Sequence, residues 1–247
     1  MRTIAVIPAR MGSSRFPGKP LAPLLGRPMI EHVYTRTAAC PGLDAVIVAT
    51  CDEDIAAAVR PLGATVAMTS PAHERASDRV AEVLSGDPAD LIVMVQGDEP
   101  MVQPGMIAAA AGALAADGSV GCANLMAGIE TEAELRDPNT IKVVTDRRSR
   151  ALFLSRMPIP NPGRGPLAPG RWWKQVCVIA FRRAALLDFA ALPPGPLEQA
   201  ESIDVLRFLE HGRPLLMVPT AGRTHAVDTL EDLARVESLM AQEALPR

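Results

Sequence analysis

A cationic loop rich in small residues follows the first apolar segment of the chain. Residues 3–7 have the apolar, β-favouring composition of a buried strand, which we expect to end at Pro8. Glycines let backbone N–H groups approach an anion, serine hydroxyls add donors, and arginine and lysine supply positive charge. An ordinary loop with solvated cations is the alternative, but the coincidence of these residue types favours phosphate binding. We call this segment the phosphate loop; its residues are Pro8, Ala9, Arg10, Gly12, Ser13, Ser14, Arg15, Gly18 and Lys19.

Two acidic motifs that are far apart in the sequence could hold a metal ion beside this loop. Asp98 follows the apolar run 91–95, and Asp228 lies where a strand is expected to turn into a helix. Because ligands bind at the carboxyl ends of parallel strands, both aspartates are expected to face the phosphate loop. Carboxylate and phosphate oxygens suit Mg²⁺, so the pattern predicts Mg²⁺ as cofactor with Asp98 and Asp228 as ligands. In isolation, Asp98 would be a turn residue and Asp228 a helix cap.

The composition excludes several classes of partner. A net charge of −3 and an aromatic content of 3% do not support a basic, stacking surface for nucleic acid. No run of about 18 apolar residues is present, so no membrane interaction is expected. Four cysteines without metal or redox spacing favour reduced thiols that pack in the core, and hence a cytoplasmic location.

Apolar runs alternate with segments of helical spacing along most of the 247 residues. This alternation predicts an α/β protein with a mostly parallel sheet that is covered on both faces. We expect a single domain, residues 1–247. The predicted strands are residues 3–7, 45–50, 65–68, 91–95, 120–125, 176–181 and 215–218, and the predicted helices are residues 28–39, 52–60, 77–84, 106–116, 197–209 and 229–239.

A change of pattern marks the region after residue 137. Residues 141–145 and 151–155 are β-rich and are separated by a polar turn, which predicts a hairpin. A long segment rich in proline and glycine, residues 157–170, follows the hairpin and is expected to form a loop. We therefore expect residues 141–181 to form a β-rich arm within the single domain.

The phosphate loop and the acidic motifs together resemble those of CMP-3-deoxy-manno-octulosonate (CMP-Kdo) synthetases. The family form Ile-Pro-Ala-Arg-x-x-Ser-x-Arg-x-Pro-Gly-Lys-Pro-Leu is similar to residues 7–21, while the usual P-loop and dinucleotide spacings are absent. Residues 95–100 and 227–233 are similar to the family motifs that carry the metal aspartates. The resemblance implies a Rossmann-like sheet of the nucleotide-diphospho-sugar transferase type. It also implies a homodimer formed through the β-rich arm.

A third motif, residues 73–79, is similar to the family form His-x-Ser-Gly-Thr-Glu-Arg. The resemblance places Ser77 near the cytosine and Arg79 at the acidic acceptor, and Gln96 of the aspartate motif is expected at both. Arg75 and Ala76 replace a Ser-Gly pair. Arg75 is expected either to add positive charge to the nucleotide site or to be a solvated side chain at the start of a helix.

The departures from the family pattern concentrate on the acceptor side. The family form His-x-Gly-Ile-Tyr-x-Tyr-Arg is replaced by residues 175–182, and a Glu-Gln pair is replaced by residues 204–205. Groups that would bond sugar hydroxyls are lost, so we expect a small anionic acceptor, with a phosphonate such as phosphonoformate favoured and Kdo as the alternative. The expected acceptor-binding residues are Arg79, Gln96, Arg156, Gln175 and Asp204.

The reaction implied by these motifs is Mg²⁺-dependent transfer of CMP from CTP to the acceptor, with release of pyrophosphate. The acceptor oxygen would attack the α-phosphorus in line, while Arg15 and Lys19 neutralise the departing pyrophosphate. A non-catalytic CTP sensor is an alternative of a different class, which the presence of both aspartates disfavours. The expected catalytic residues are Arg15, Lys19, Asp98 and Asp228.

Overall fold

A central sheet organises the chain in the computed structural model, which describes residues 1–12, 15–163, 170–222 and 224–243. Its first strand is buried along its whole length, as the apolar run of residues 4–9 requires. The strands are Thr3–Ala9 (β1), Pro23–Leu24 (β2), Arg27–Pro28 (β3), Ala45–Thr50 (β4), Thr65–Met68 (β5), Leu91–Val95 (β6), Cys122–Gly128 (β7), Lys142–Thr145 (β8), Ala151–Ser155 (β9), Trp173–Arg182 (β10) and Leu215–Pro219 (β11).

The strand order places the carboxyl ends of most strands at one edge. The order is β11-β7-β10-β6-β1-β4-β5, with the β8–β9 hairpin attached to β10 and a separate small ribbon formed by β2 and β3. Strands β1, β4, β5 and β6 pair in parallel, as do β7 and β11, whereas β10 runs antiparallel to both of its neighbours. The amino-terminal half of β10 therefore lies at the same edge as the carboxyl ends of the parallel strands.

Helices cover both faces of the sheet. One core cluster packs the helices of residues 29–38, 53–59 and 104–116 on one face, and a second packs the helices of residues 76–83, 183–191 and 206–210 with the β8–β9 hairpin on the other. The mostly parallel α/β fold expected from the sequence is thus confirmed. The helices are Met29–Ala38 (α1), Glu53–Val59 (α2), Ala76–Val83 (α3), Pro104–Ala116 (α4), Glu132–Arg136 (α5), Arg183–Ala191 (α6), Pro196–Glu201 (α7), Leu206–Glu210 (α8) and Leu230–Glu243 (α9).

One predicted helix was wrong. Residues 197–209 form two short helices, α7 and α8, because Ser202 adopts a left-handed backbone conformation with φ of +53°. Arg156 donates to the carbonyl oxygens of Glu201 and Ser202 at 2.7 and 3.1 Å, which stabilises this break from outside the helix. The predicted hairpin of the arm is present. The sequence pattern gave no prediction for α5 and α6.

The last helix packs against the segment that follows the phosphate loop. Apolar side chains of α9 form a cluster with the residues around β2 and the start of α1. This contact places residue 228, just before α9, beside the loop. The buried members of the cluster are Leu24, Met29, Met101, Val227, Val236 and Met240.

The structure also bears on two expectations drawn from composition. The four cysteines are free thiols, two of them buried and two partly exposed. Over the described ranges, no helix is both long and apolar enough to cross a bilayer.

Candidate active site

A cleft of about 480 Å³ opens at the edge where the parallel strands end. It is lined from one direction by the phosphate loop and the two aspartates, which we call the nucleotide side. Arg79, Arg156, Gln175 and Asp204 line it from the other direction, which we call the acceptor side. The predicted site residues that line the cleft are Pro8, Ala9, Arg10, Gly12, Arg15, Lys19, Arg75, Arg79, Gln96, Asp98, Arg156, Gln175, Asp204 and Asp228.

Three predicted nucleotide-binding residues are not among them. Ser77 is fully buried, and its hydroxyl donates to a carboxylate oxygen of Asp204 at 3.1 Å. The hydroxyl is therefore used inside the fold, and its contact with the cytosine stays a prediction. Ser13 and Ser14 lie outside the described residues.

The phosphate loop is fastened to the next strand of the sheet by Asp52. This carboxylate accepts a hydrogen bond from the backbone N–H of Met11 at 2.8 Å. Asp52 is the N-cap residue of α2, but its side chain caps no helical N–H there. Its position directly after β4, at the same edge as the loop, is the signal that could have identified it.

Glycines shape the turns that carry the charged groups. Gly18 has φ of +73° and returns the loop toward Met11, whose carbonyl accepts from its N–H at 3.0 Å. Gly97 lies against the end of β1, where a Cβ would come within 2.9 Å of the carbonyl oxygen of Pro8. The glycine of the aspartate motif is therefore needed so that the turn can lie directly on the first strand.

Lys19 joins the two aspartates of the nucleotide side. Its Nζ lies 2.9 Å from Asp98 Oδ2 and 3.3 Å from Asp228 Oδ1, and it donates to the carbonyl oxygen of Val227 at 2.7 Å. Burial lowers the pKa of Lys19, but the two carboxylates outweigh that effect, and its pKa is raised overall. Three charged side chains that are far apart in the sequence thus form one cluster, as the motifs predict.

Arg15 extends this cluster toward solvent. Its guanidinium donates to Asp228 Oδ1 at 3.0 Å and to the side-chain carbonyl of Asn139. Arg15 is about half exposed, so this pair contributes little to stability and leaves the cation available to a ligand. Asn139 carried no signal in the sequence that would have assigned it to the site.

Asp228 is free to act because other residues cap α9. Thr229 Oγ1 accepts from the N–H of Asp232 at 3.1 Å, while Asp232 Oδ2 accepts from the N–H of Thr229 at 2.9 Å. This reciprocal pair satisfies the start of the helix. The alternative reading of Asp228 as a simple helix cap is therefore wrong, and its carboxylate faces Lys19 and Arg15 instead.

The residues present fit a magnesium ion that takes part of its coordination from a substrate. Asp98 Oδ1 is buried and has no hydrogen-bond partner, while its other oxygen bonds Lys19. Across the described ranges, no group of three or more His, Cys, Asp or Glu side chains could hold a metal ion. Two carboxylates without further protein ligands suit Mg²⁺ bound to phosphate oxygens and water.

Glu99, next to Asp98, is fully enclosed by the fold. Burial raises its pKa to about 7, despite hydrogen bonds from the Thr224 hydroxyl and, at 3.4 Å, from the N–H of Cys177. These bonds connect the turn of residues 96–99, which we call the aspartate turn, to β10 and to the segment before α9. The sequence identified Glu99 as part of the motif but assigned it no role.

Arg79 and Arg156 differ sharply on the acceptor side. Arg79 is buried and donates through Nη1 to Thr69 and Ser70, whereas its Nη2 is buried without a partner. Arg156 uses its guanidinium on the carbonyl oxygens of residues 138, 201 and 202. Arg79 therefore keeps a buried nitrogen without any partner beside the cleft, whereas each guanidinium nitrogen of Arg156 already bonds a backbone carbonyl; the sequence predicts both as acceptor-binding residues.

On the acceptor side, carboxylates neutralise much of the positive charge of Arg75. Arg75 donates to the Ser202 hydroxyl at 2.9 Å and lies 3.7 Å from the buried Glu198. Arg75 is therefore not a simple solvated side chain. Burial raises the pKa of Asp204, against the opposing effects of Arg75 and Ser77.

The fold and the site define a nucleotidyltransferase, and the comparisons agree. A protein-family model for cytidylyltransferases matches residues 4–217. A solved structure of a CMP:2-keto-3-deoxy-manno-octonic acid synthetase complexed with CTP is 40% identical. It superposes with a TM-score of 0.90, over 98% of this chain and 100% of the other.

Similar proteins of known name identify the family within the cytidylyltransferases. A 3-deoxy-manno-octulosonate cytidylyltransferase from Geobacter metallireducens is 45% identical over 245 residues, covering 96% of each chain. One from Myxococcus xanthus is 45% identical over 240 residues, covering 97% of this chain and 96% of the relative. The chain belongs to the CMP-Kdo synthetase family.

Proposed function

We propose that this enzyme transfers CMP from CTP to Kdo and releases pyrophosphate. The observation that carries the proposal is the cluster of Lys19, Asp98 and Asp228 in a cleft beside the phosphate loop. Relatives of at least 40% identity that are named for this activity support Kdo as acceptor. They give no support to the phosphonate favoured by the sequence, so the alternative acceptor is preferred.

The nucleotide side supplies the groups that a nucleotidyl transfer needs. A hydroxyl oxygen of the acceptor forms a bond to the α-phosphorus of CTP while the bond to the bridging oxygen of the β-phosphate breaks. The hydroxyl proton leaves to solvent, and pyrophosphate carries away the electron pair. Arg15 and Lys19 neutralise the charge of the polyphosphate, and the cleft holds the two reactants in line.

Asp98 and Asp228 are the residues that would hold Mg²⁺. When bound, the ion supplies charge stabilisation to the phosphate oxygens and lowers the pKa of an oxygen coordinated to it. The partnerless Oδ1 of Asp98 supports this role, because a buried carboxylate oxygen without a hydrogen bond is costly unless a cation binds it.

The test supplies CTP and Mg²⁺ with Kdo or phosphonoformate and measures pyrophosphate release together with the phosphorus NMR spectrum of the product. We expect a CMP conjugate with Kdo alone. Turnover only with phosphonoformate would restore the acceptor favoured by the sequence. Tight CTP binding with no turnover on either acid would support the sensor alternative.

The arm is also proposed to form a homodimer. Leu152 on β9 and Met157 just after it are 63% and 67% exposed, which is unusual for large apolar side chains. Light scattering after size-exclusion chromatography should give twice the chain mass. The double variant Leu152→Glu with Met157→Glu should shift it toward the mass of one chain, while Leu230→Glu, an exposed leucine on α9, should not.

A further inference from the structure

Asn124, in the middle of β7, is a buried polar residue that neither the sequence motifs nor the proposed chemistry uses. It is fully buried. Its Nδ2 donates to the backbone carbonyl oxygens of Leu125, Val176 and Val178 at 3.0, 2.7 and 3.3 Å. These carbonyls accept only, so they fix the amide with its nitrogen toward them and its Oδ1 in the opposite direction.

The fixed amide of Asn124 in turn fixes the amide of Gln175. The Nε2 of Gln175 donates to Asn124 Oδ1 at 2.5 Å. Because an amide oxygen only accepts, Gln175 must present its nitrogen to Asn124, and its Oε1 is left for the other direction. Gln175 lines the cleft, whereas Asn124 lies behind it. The polarity of a side chain in the cleft is thus set by a residue outside it.

The same hydrogen bonds hold an irregularity in β10. The register of β10 against β7 shifts between Val176 and Ile179, and the carbonyls bonded by Asn124 lie in and beside this bulge. Within it, the carbonyl of Cys177 accepts from the N–H of Gln96 at 3.2 Å. Asn124 therefore supports the strand that connects the acceptor side with the aspartate turn.

We infer that Asn124 is a positioning residue that directs the Gln175 Oε1 into the cleft, so that this position accepts a hydrogen bond from an acceptor hydroxyl. The inference rests on the proposed function and deepens it. A polyhydroxylated sugar acid offers such donors. An ionised phosphonate presents mainly acceptor oxygens, which an amide oxygen would repel, so the geometry favours the sugar acid.

Steady-state kinetics with CTP and Kdo test this role. We expect Asn124→Leu, which is close in size but has no oxygen to accept from Gln175 Nε2, to raise the KM for Kdo about 10-fold, and the KM for CTP less than about 2-fold. Gln175→Leu should produce a similar rise in the KM for Kdo. The double variant should add little to either single change, because both remove the same interaction.

The outcomes separate positioning from mere support of the fold. Equal rises in both KM values, or additive effects in the double variant, would overturn the inference. Gln175→Leu alone provides a test if Asn124→Leu fails to fold, since an unchanged KM for Kdo in Gln175→Leu also overturns the inference. If the wild type itself releases no pyrophosphate with Kdo, the proposed function fails first, which is a different result.

Discussion

The nucleotide side and the acceptor side carry similar numbers of cations, but they use them differently. Lys19 and Arg15 bond carboxylates that are themselves expected to bind a ligand, so the positive charges of both side chains stay available to the polyphosphate. Arg156 donates to three backbone carbonyls, and Arg75 lies between the Ser202 hydroxyl and the buried Glu198. A cationic side chain that lines a cleft is therefore not always available to a ligand. Its availability depends on the hydrogen bonds and ion pairs that it already makes inside the fold.

The largest expected effect comes from the aspartates of the nucleotide side. Asp98→Asn or Asp228→Asn should lower kcat/KM by about 10²–10³-fold, because each removes a carboxylate that would hold Mg²⁺ beside the phosphate oxygens. Pyrophosphate release at several Mg²⁺ concentrations measures it. Asp188→Asn, which alters an exposed pair with Arg213, is the matched control and should change activity less than about 2-fold. Loss of activity in the control as well would contradict the assignment.

The two arginines of the acceptor side should separate under mutation. Arg79→Met removes the partnerless Nη2 together with the bonds from Nη1 to Thr69 and Ser70, and the loss of Nη2 should raise the KM for Kdo about 10-fold. Arg156→Met removes bonds to three carbonyls, so it should lower the melting temperature by several degrees. Kinetics and thermal unfolding on both variants make the comparison. An unchanged KM for Kdo in Arg79→Met would remove the contrast.

Asp52 tests how firmly the nucleotide side depends on its anchoring. Asp52→Ala leaves the N–H of Met11 without its partner, so the loop should hold phosphates less well and the KM for CTP should rise about 5-fold. Asp54→Ala, an exposed change on the same helix, provides the control. Titration of CTP at saturating Kdo is the measurement. If both variants behave alike, the effect belongs to the helix and not to the loop.

The smallest expected effect concerns the pH dependence of stability. Burial raises the pKa of Asp204, so the folded protein keeps this proton at pH values where the unfolded chain has released it. Stability is therefore lost as the pH rises above the unfolded pKa of about 4. Asp204→Asn removes this loss, so its melting temperature relative to the wild type should increase by about 2–4 °C between pH 4 and pH 8. A decrease over that range would contradict the assigned direction.

Residue types and spacing were enough to predict that Lys19, Asp98 and Asp228 lie together. Apolar runs alternating with helical spacing gave the sheet, and the rule that ligands bind where parallel strands end brought Lys19, Asp98 and Asp228 together before any coordinates. That same rule could have assigned Asp52 to the site. It failed to do so because an aspartate before a helix is also the usual cap.

The acceptor side was predicted less well because its properties depend on partners. The use of the Ser77 hydroxyl by Asp204, and the break between α7 and α8 at Ser202, follow from contacts between segments that are distant in sequence. The loss of family residues was interpreted as the loss of sugar recognition. Gln175 retains an amide oxygen that can accept from a hydroxyl, which a list of missing residues does not reveal.

The packing of α9 against the segment after the phosphate loop has a consequence for biosynthesis. Lys19 leaves the ribosome early, while Asp228 and the apolar side chains that hold it in place emerge more than 200 residues later. A growing chain therefore cannot assemble the charged cluster until α9 has been made. A chain that ends before Asp228 keeps its sheet strands but lacks one of the two carboxylates, and a chain that ends before α9 lacks the apolar contacts that hold Asp228 in place.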